Sequence, residues 1–217
     1  MASHLDLEEQ EQIDELKHFW KKWGGLISTV VLAVLVIFTA WNGYQYWQRT
    51  QANQAAVLLD AVTEAMQPPG DAARLKQAAG DLRGKYSGTA QAVQGNLLAA
   101  KFLTELGEAA AAKESLMWVA EKSGDEGAQA VARLRLVALH LDAQAFDEAL
   151  KLLNAPFPPA FVALVQERKG DVLFLQGKTS EAAAAYKQAV ASMDAGIEYR
   201  RLLEVKAEAL GVSPLER

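Results

Sequence analysis

The sequence predicts an all-α protein in which one membrane-spanning helix precedes a solenoid of paired helices and a C-terminal capping helix. Three observations lead to this fold class. A stretch of 26 residues between Lys22 and Arg49 carries no formal charge. The following chain places apolar residues at helical spacing between turn signals, with no alternating strand pattern of useful length. A turn followed by a small and then a large residue also recurs along it.

Residues 1–22 are predicted to form a cytoplasmic acidic tail and an amphipathic helix. This segment contains six acidic residues and three lysines, so its net charge is −3, and the net charge of the whole chain is −5. Apolar residues recur at spacings of three, four and three, which is typical of a helix with one apolar face. They are Ile13, Leu16, Trp20 and Trp23. We interpret this helix as an interfacial element that steadies the anchor, and a docking element is the alternative.

Residues 23–48 have the length and composition of a transmembrane helix. Such a helix needs about 20 mostly apolar residues. Amphipathic aromatic side chains stand at both ends of the stretch, as they do where rings contact lipid headgroups. These membrane-interface residues are Trp20, Trp23, Trp41, Tyr44, Tyr46 and Trp47. The sequence therefore predicts contact with membrane lipid.

A cleaved signal peptide and a buried core helix fit this stretch less well. A signal peptide has a short basic region before its apolar core and small residues at its cleavage site. Here an acidic segment precedes the stretch, and Trp and Tyr follow it. Three lysines precede the span, whereas Arg49 is the sole basic residue after it until Arg74. The positive-inside rule therefore places the N-terminus in the cytoplasm and residues 49–217 across the membrane, which in a bacterium is the periplasm.

Three segments of the exported domain align as repeats. They are ELGEAAAAKESLMWVA, LDAQAFDEALKLLNAP and LQGKTSEAAAAYKQAV. Each places a turn before a helix with a small residue and, four positions later, a larger one. The small residues are Ala112, Ala149 and Ala182, and the larger ones are Leu116, Leu153 and Tyr186. The alanines are 37 and 33 residues apart, close to the period of about 34 in tetratricopeptide repeats.

The third unit shows the pattern most fully. Gly170 and Leu173 lie in its first helix, Gly177 lies at its turn, and Ala189 follows the alanine and tyrosine of its second helix. A small residue is needed where two antiparallel helices cross closely, and a large one fills the space beside it. Residues 50–88 are predicted to form a degenerate helix pair. Residues 194–210 are predicted to form the capping helix, with Tyr199, Leu202, Leu203 and Leu210 facing inward.

The composition argues against several classes of function. The chain has no cysteine, which excludes disulfides and thiolate chemistry, and it has no basic stripe of the kind that nucleic-acid binding requires. Among the three histidines, His4 lies in the tail, His18 precedes the span, and His140 is interpreted as a structural residue. The charged run ERKGD, residues 167–171, is interpreted as a solvated cluster. No catalytic, metal or cofactor motif is present, so we predict no enzyme activity and no cofactor.

The order of these features resembles the YfgM-like family, the ancillary subunit of the SecYEG translocon in Gram-negative bacteria. The residues that carry the resemblance are ELKHFWKKWG, WNGYQYW, YSGTAQAVQGNLLAAKFLTELGE and LVQERKGDVLFLQGKTSEAAAAY. The resemblance implies a single-pass inner-membrane protein with a cytoplasmic N-terminus and a periplasmic repeat domain. It also implies association with SecYEG and with the membrane-anchored periplasmic chaperone PpiD, and assistance to exported unfolded proteins.

The principal functional hypothesis is a non-catalytic inner-membrane adaptor at the SecYEG translocon that links it to periplasmic chaperones. The alternative is a membrane-anchored repeat scaffold for another cell-envelope assembly machine. A third hypothesis, an enzyme whose site is assembled from scattered carboxylates, would require converging acids with perturbed pKa values.

Overall fold

The computed structural model describes residues 7–194 and 196–211, and the start of the acidic tail, including His4, lies outside this part of the chain. The described residues form α-helices and one short 3₁₀ helix, Pro159–Phe161. The helices are α1 Leu7–Ala65, α2 Ala72–Lys85, α3 Ala90–Glu105, α4 Ala109–Lys122, α5 Glu126–Asp142, α6 Phe146–Leu153, α7 Val162–Leu175, α8 Thr179–Ala191 and α9 Tyr199–Glu208. The all-α prediction is confirmed.

The chain divides into two compact units between Gln51 and Ala52. The first unit is the N-terminal part of α1, whose most apolar window has a mean hydropathy of 2.2 and is 6% buried. Its polar side chains donate to carbonyls of the preceding turn: Thr29 to Gly25 at 2.8 Å and Asn42 to Phe38 at 2.8 Å. These bonds hide polar groups that lipid could not solvate. By length and composition this helix can cross a membrane.

The second unit begins with the last turns of α1. Ala55, Val62 and Ala65 are buried in a core that extends through α2, α3, α4 and part of α5. Helices α2, α3 and α5 each begin at a side chain that accepts a hydrogen bond from a backbone N–H, with Asp71 capping α2, Thr89 capping α3 and Asp125 capping α5. Such caps satisfy donors that the helix itself leaves free. The caps therefore fix the residue at which each of these helices begins.

Consecutive helices pack in antiparallel pairs, and each pair turns at a residue with positive φ. The turn residues are Gly70 (83°), Gly107 (79°), Gln144 (55°) and Gly177 (76°), and Gly211 (80°) follows α9 in the same way. Successive positions differ by 37, 37, 33 and 34 residues. The period therefore extends to the pair that includes α2, and it places α9 as the first helix of a further unit.

Three of these turns share the same hydrogen bonds. The amide after the turn residue donates to a carbonyl five residues back: Glu108 to Leu103 at 2.8 Å, Ala145 to His140 at 2.8 Å and Lys178 to Leu173 at 2.9 Å. This is the Schellman arrangement, which closes a helix through a left-handed residue. The turns at Gly107, Gln144 and Gly177 are thus repeats in backbone geometry.

The pair α7 and α8 crosses at very short range. A Cβ on Gly170 would lie 2.6 Å from Cε1 of Tyr186, whose ring covers the glycine. Any side chain at Gly170 would push α8 away, and overpacking of this kind costs about 1–3 kcal/mol. In this pair, the glycine of the first helix and the tyrosine of the second helix form one close contact.

The first pair reverses the pattern. Five residues after its turn residue stands Leu75, and four residues later stands Ala79, and both are fully buried. The other pairs place alanine first and the larger residue second. A close approach also occurs between α2 and α3, where a Cβ on Gly95 would collide with Leu82. The reversal explains why residues 50–88 have a degenerate sequence within a regular backbone.

The C-terminal helix α9 packs on α8, with Leu203 and Ala207 buried. Tyr199 and Leu210 are half-buried. The predicted inward orientation of Leu202 is wrong, because this side chain is 46% exposed. Leu203 and Ala207 are four residues apart and share the buried face, which turns Leu202 towards solvent. The cap is also shorter than residues 194–210.

Gln144 is the one turn residue of the four in the helix pairs that is not glycine. Its left-handed backbone costs an L-residue about 1–2 kcal/mol. We expect Gln144→Gly to stabilise the domain by about 1 kcal/mol and to raise its thermal midpoint by about 2–4 °C. Circular dichroism of the purified full chain in detergent measures this shift.

The matched control is Gly177→Gln, which places a side chain at the corresponding turn. A Cβ there meets no atom within 4 Å, so the change adds backbone strain without a clash. We expect the midpoint to fall by a similar amount. Equal midpoints for both variants would contradict the role assigned to these turns.

Candidate interaction surface

A groove of about 400 Å³ lies between α3 and α5, the first helices of two successive pairs. We call it the α3–α5 groove. Its floor is formed by Val93, Leu97, Leu98 and Ala128, and its rim carries Lys101, Asp125 and Arg135. Val93, Leu97 and Lys101 are four residues apart and therefore lie along one face of α3. Helical periodicity is what gathers these side chains.

The floor of the groove is apolar and partly open. Its four side chains are half-buried and pack against the core that α2, α3, α4 and α5 share. They form a contiguous apolar surface rather than scattered exposed residues. Surfaces of this kind mark sites where another molecule can bury apolar side chains.

The rim of the groove is charged and unequal on its two sides. Arg135 donates from one guanidinium nitrogen to the carbonyl oxygen of Leu97 at 2.9 Å, which fixes its side chain across the groove. Asp125 accepts from the amide of Ala128 at 3.0 Å and so caps α5. The side chain of Lys101 is exposed. Two positive charges and one negative charge therefore surround an apolar floor.

A second polar cluster joins α7, α8 and α9. Glu167 is fully buried and accepts from Tyr199 Oη at 2.8 Å and from Lys206 Nζ at 2.7 Å. Asp171 accepts from Lys206 Nζ at 2.8 Å and from Tyr186 Oη at 2.8 Å, and Arg168 pairs with it at 3.0 Å. Two carboxylates thus face two cations in one balanced network.

The network shifts the pKa values of its members. Burial, together with the hydrogen bond to Asp171, raises the pKa of Tyr186 well above its usual range. Burial and the hydrogen bond to Glu167 raise the pKa of Tyr199 in the same way. Burial lowers the pKa of Lys206, but its hydrogen bonds to Asp171 and Glu167 outweigh this effect and the net shift is upward. At neutral pH the lysine is charged and both phenols keep their protons.

The interpretation of residues 167–171 as a solvated cluster is wrong. Glu167 has no exposed surface and Asp171 is 17% exposed at its side chain. Their partners on α9 lie 32 to 39 residues away in the chain, where no local pattern could reveal them. Glu167 and Asp171 are the acidic members of a buried ion-pair network that joins α7 to α9.

A family of known proteins matches most of the chain. The tetratricopeptide repeat-like domain family aligns with residues 17–212. The chain belongs to this family. The match includes the apolar part of α1 as well as every helix pair described above.

Three relatives of this chain share one name with each other, ancillary SecYEG translocon subunit. The protein of Neisseria gonorrhoeae is 30% identical and covers 97% of this chain and 100% of its own length. That of Haemophilus influenzae is 30% identical over 84% of this chain and 89% of its own length. That of Escherichia coli is 24% identical over 94% of this chain and 97% of its own length. The resemblance to the YfgM-like family is confirmed. No solved structure is significantly similar to the chain.

Of the ten predicted repeat-packing residues, seven lie on the second helices α4, α6 and α8, two lie on the first helix α7, and one lies at a turn. Gly177 is an exposed turn residue, and the other nine are buried: Ala112, Leu116, Ala149, Leu153, Gly170, Leu173, Ala182, Tyr186 and Ala189. The structure brings Leu173, Ala182 and Tyr186 into one cluster with Ala207 of α9. Ala149 and Leu153 belong to a separate cluster around Val137.

The predicted membrane-interface residues all lie on α1 with their side chains exposed. Their exposed fractions run from 44% at Trp23 to 75% at Tyr46. The rings of Tyr44 and Trp47 stack at 6.0 Å between centroids, and Lys22 lies 5.8 Å from the centroid of Trp23. An exposed aromatic ring beside a cation suits the headgroup region of a bilayer.

His140 is half-buried on α5, and its pKa is lowered by burial and by Lys113, against an opposing effect of Glu148. In residues 7–194 and 196–211 no group of three or more His, Asp or Glu side chains is placed to hold a metal ion.

Sequence reasoning missed the residues that line the α3–α5 groove. In the sequence, Lys101 and Arg135 look like ordinary surface charges, because they come to one groove only when α3 and α5 are stacked. The repeat period offered a signal. Arg135 stands nine residues before the turn residue Gln144, as Leu98 stands before Gly107, so both occupy the same position of a first helix.

The buried network makes a direct prediction for Lys206→Met. Without the ammonium, Glu167 would keep only Tyr199 as a donor, and removal of one partner from a buried ion pair destabilises a fold by several kcal/mol. Because Lys206 is 28% exposed, we expect a loss of about 2–4 kcal/mol. Hydrogen exchange along α9 and thermal melting of the full chain measure it.

Lys187→Met is the control, because Lys187 is exposed on α8 and makes no ion pair within the described part of the chain. We expect its stability to stay within about 0.5 kcal/mol of the parent. Equal stabilities of the two variants would show that the network does not hold α9.

Proposed function

We propose that this chain is a non-catalytic, ancillary subunit of the SecYEG translocon. The observation that carries the proposal is the full-length alignment with a protein of that name in Neisseria gonorrhoeae. The match extends through the apolar helix and the repeat domain alike. Tetratricopeptide-like repeats build extended surfaces that contact other proteins, which supports an adaptor role.

Within this proposal, residues 23–48 cross the bacterial inner membrane once. The N-terminus stays in the cytoplasm and residues 49–217 work in the periplasm. Support comes from the three lysines before the span and from the exposed aromatic rings at its ends. The anchor also supplies the lipid contacts of the protein.

The repeat domain then acts next to proteins as they leave the translocon. The family resemblance implies that it links SecYEG to the periplasmic chaperone PpiD and assists exported unfolded proteins. The α3–α5 groove suits such a role, because it offers a half-buried apolar floor of about 400 Å³ to an incoming segment. We propose this groove as the working surface of the adaptor.

The absence of cysteine makes the proposed topology testable by labelling. Glu11→Cys and Glu121→Cys place single thiols at exposed positions on either side of the span. We expect a membrane-impermeant maleimide added to spheroplasts to label Glu121→Cys and to label Glu11→Cys only after lysis. The measurement is the gel shift of the labelled chain.

The cysteine-free parent controls for non-specific labelling. Labelling of Glu11→Cys alone in intact spheroplasts would show that the orientation is opposite to the proposed one. Labelling of both thiols there would contradict a membrane-spanning segment between them.

Partner identity is tested by site-specific photocrosslinking in membranes. A photoreactive residue replaces Gln94, which is exposed on α3 at the groove, or Lys187 on α8 as the matched control. We expect adducts with exported chains or with PpiD from position 94 and far fewer from position 187. In parallel, the full chain purified in mild detergent should carry SecY with it.

Loss of SecY from the purified material would contradict the translocon assignment. Recovery of a pilus or outer-membrane assembly machine instead would support the alternative scaffold. Equal adducts from both positions would show that the groove is not the working surface, even if SecY is retained.

A further inference from the structure

Two cations beside the α3–α5 groove have no acidic partner in the described part of the chain. Lys101 and Arg135 make no ion pair with any carboxylate of residues 11–194 and 196–211. Several other cations of the domain are paired, as Arg83 is with Glu114 at 2.7 Å and Lys206 is with Glu167 at 2.7 Å, whereas others, Lys187 among them, also lack an ion pair in the described residues. At the groove, the two open cations flank an apolar floor.

Arg135 is already held in place across the groove. One of its nitrogens donates to the carbonyl oxygen of Leu97, and the remaining N–H groups of the planar guanidinium are free of described partners. A guanidinium whose position is fixed loses little entropy when it binds a carboxylate. Its free donors match the two oxygens of that group.

The opposite side of the rim does not cancel this charge. The carboxylate of Asp125 caps α5 through the amide of Ala128 and contacts no cation of the rim. A cationic segment entering the groove would meet Lys101 and Arg135 on α3 and α5. A segment that carries acids beside its apolar residues would pair with both of them.

We propose that the α3–α5 groove binds a peptide segment of a partner protein in which large apolar side chains are flanked by carboxylates. The apolar side chains fill the floor formed by Val93, Leu97, Leu98 and Ala128, and the carboxylates pair with Lys101 and Arg135. The volume of about 400 Å³ lies in the range of about 300–1,000 Å³ that binding pockets cover. The proposal rests on the proposed function only in taking this groove as the working surface.

The test uses fluorescence polarisation with the full chain in detergent. Three labelled peptides serve as probes: a Leu–Phe core flanked by glutamates, the same core flanked by lysines, and a Ser–Ser core flanked by glutamates. We expect the first to bind at least about ten-fold more tightly than either of the others, since each tenfold step corresponds to one charge-assisted contact or one buried side chain.

Variants then assign the preference to the groove. The double change Lys101→Glu and Arg135→Glu should abolish or reverse the preference for the glutamate-flanked probe. Lys101→Gln, which removes a charge that makes no described hydrogen bond, should weaken that probe by about three- to ten-fold without a change in thermal midpoint. Lys187→Glu on α8 should leave the affinity unchanged.

Equal binding of glutamate- and lysine-flanked probes would overturn the proposal, as would a preference that survives in the double variant. Concentration-dependent self-association of the full chain that the double variant abolishes would identify a second copy as the occupant and would also overturn it. Copurification of SecY with the double variant separates the two questions. Its retention leaves the translocon assignment intact whatever the peptides show, whereas its absence from the parent chain refutes that assignment alone.

Discussion

The repeat domain depends on the close crossing of two antiparallel helices, which needs a sharp reversal and a residue with almost no side chain. The Schellman turns at Gly107, Gln144 and Gly177 supply the reversal through one left-handed residue. In the pair α7 and α8, Gly170 beneath the ring of Tyr186 supplies the close contact. Once the pairs form, their first helices stack beside one another, and the α3–α5 groove results from that stacking.

Charges are paired differently in the buried cluster of α7, α8 and α9 and at the α3–α5 groove. Around α7 and α9 every described charge of the inner cluster has a partner, and Glu167 is buried completely. Beside α3 and α5 the cations stay open while the apolar floor stays half-exposed. A folded domain gains from balanced internal charges, because an unpaired buried charge is very costly. Unbalanced charge at an open groove costs little in water and can attract a partner.

Much of the fold could be predicted because it depends on short-range patterns. Helix spacing, turn residues and the uncharged stretch of residues 23–48 are local, and local interactions decide helices and membrane spans. The repeat was visible at Ala112, Ala149 and Ala182, because each is followed four positions later by a larger residue. It was faint in residues 50–88, where Leu75 and Ala79 exchange the large and small roles that packing requires. Backbone φ at Gly70 and Gly107 shows the common period, which side-chain identity concealed.

The sequence by itself determined the helical class, the anchor-like helix, the approximate repeat and the family resemblance. Only the tertiary structure decided which charges are buried and which remain available. Glu167 and Lys206 are 39 residues apart in the chain, as Leu97 and Arg135 are separated by 38, and both pairs meet only after helices stack. A charge on one helix reads the same in sequence whether it faces water or a distant partner. Burial and pairing are properties of the packed helices, so the groove and the network could be recognised only there.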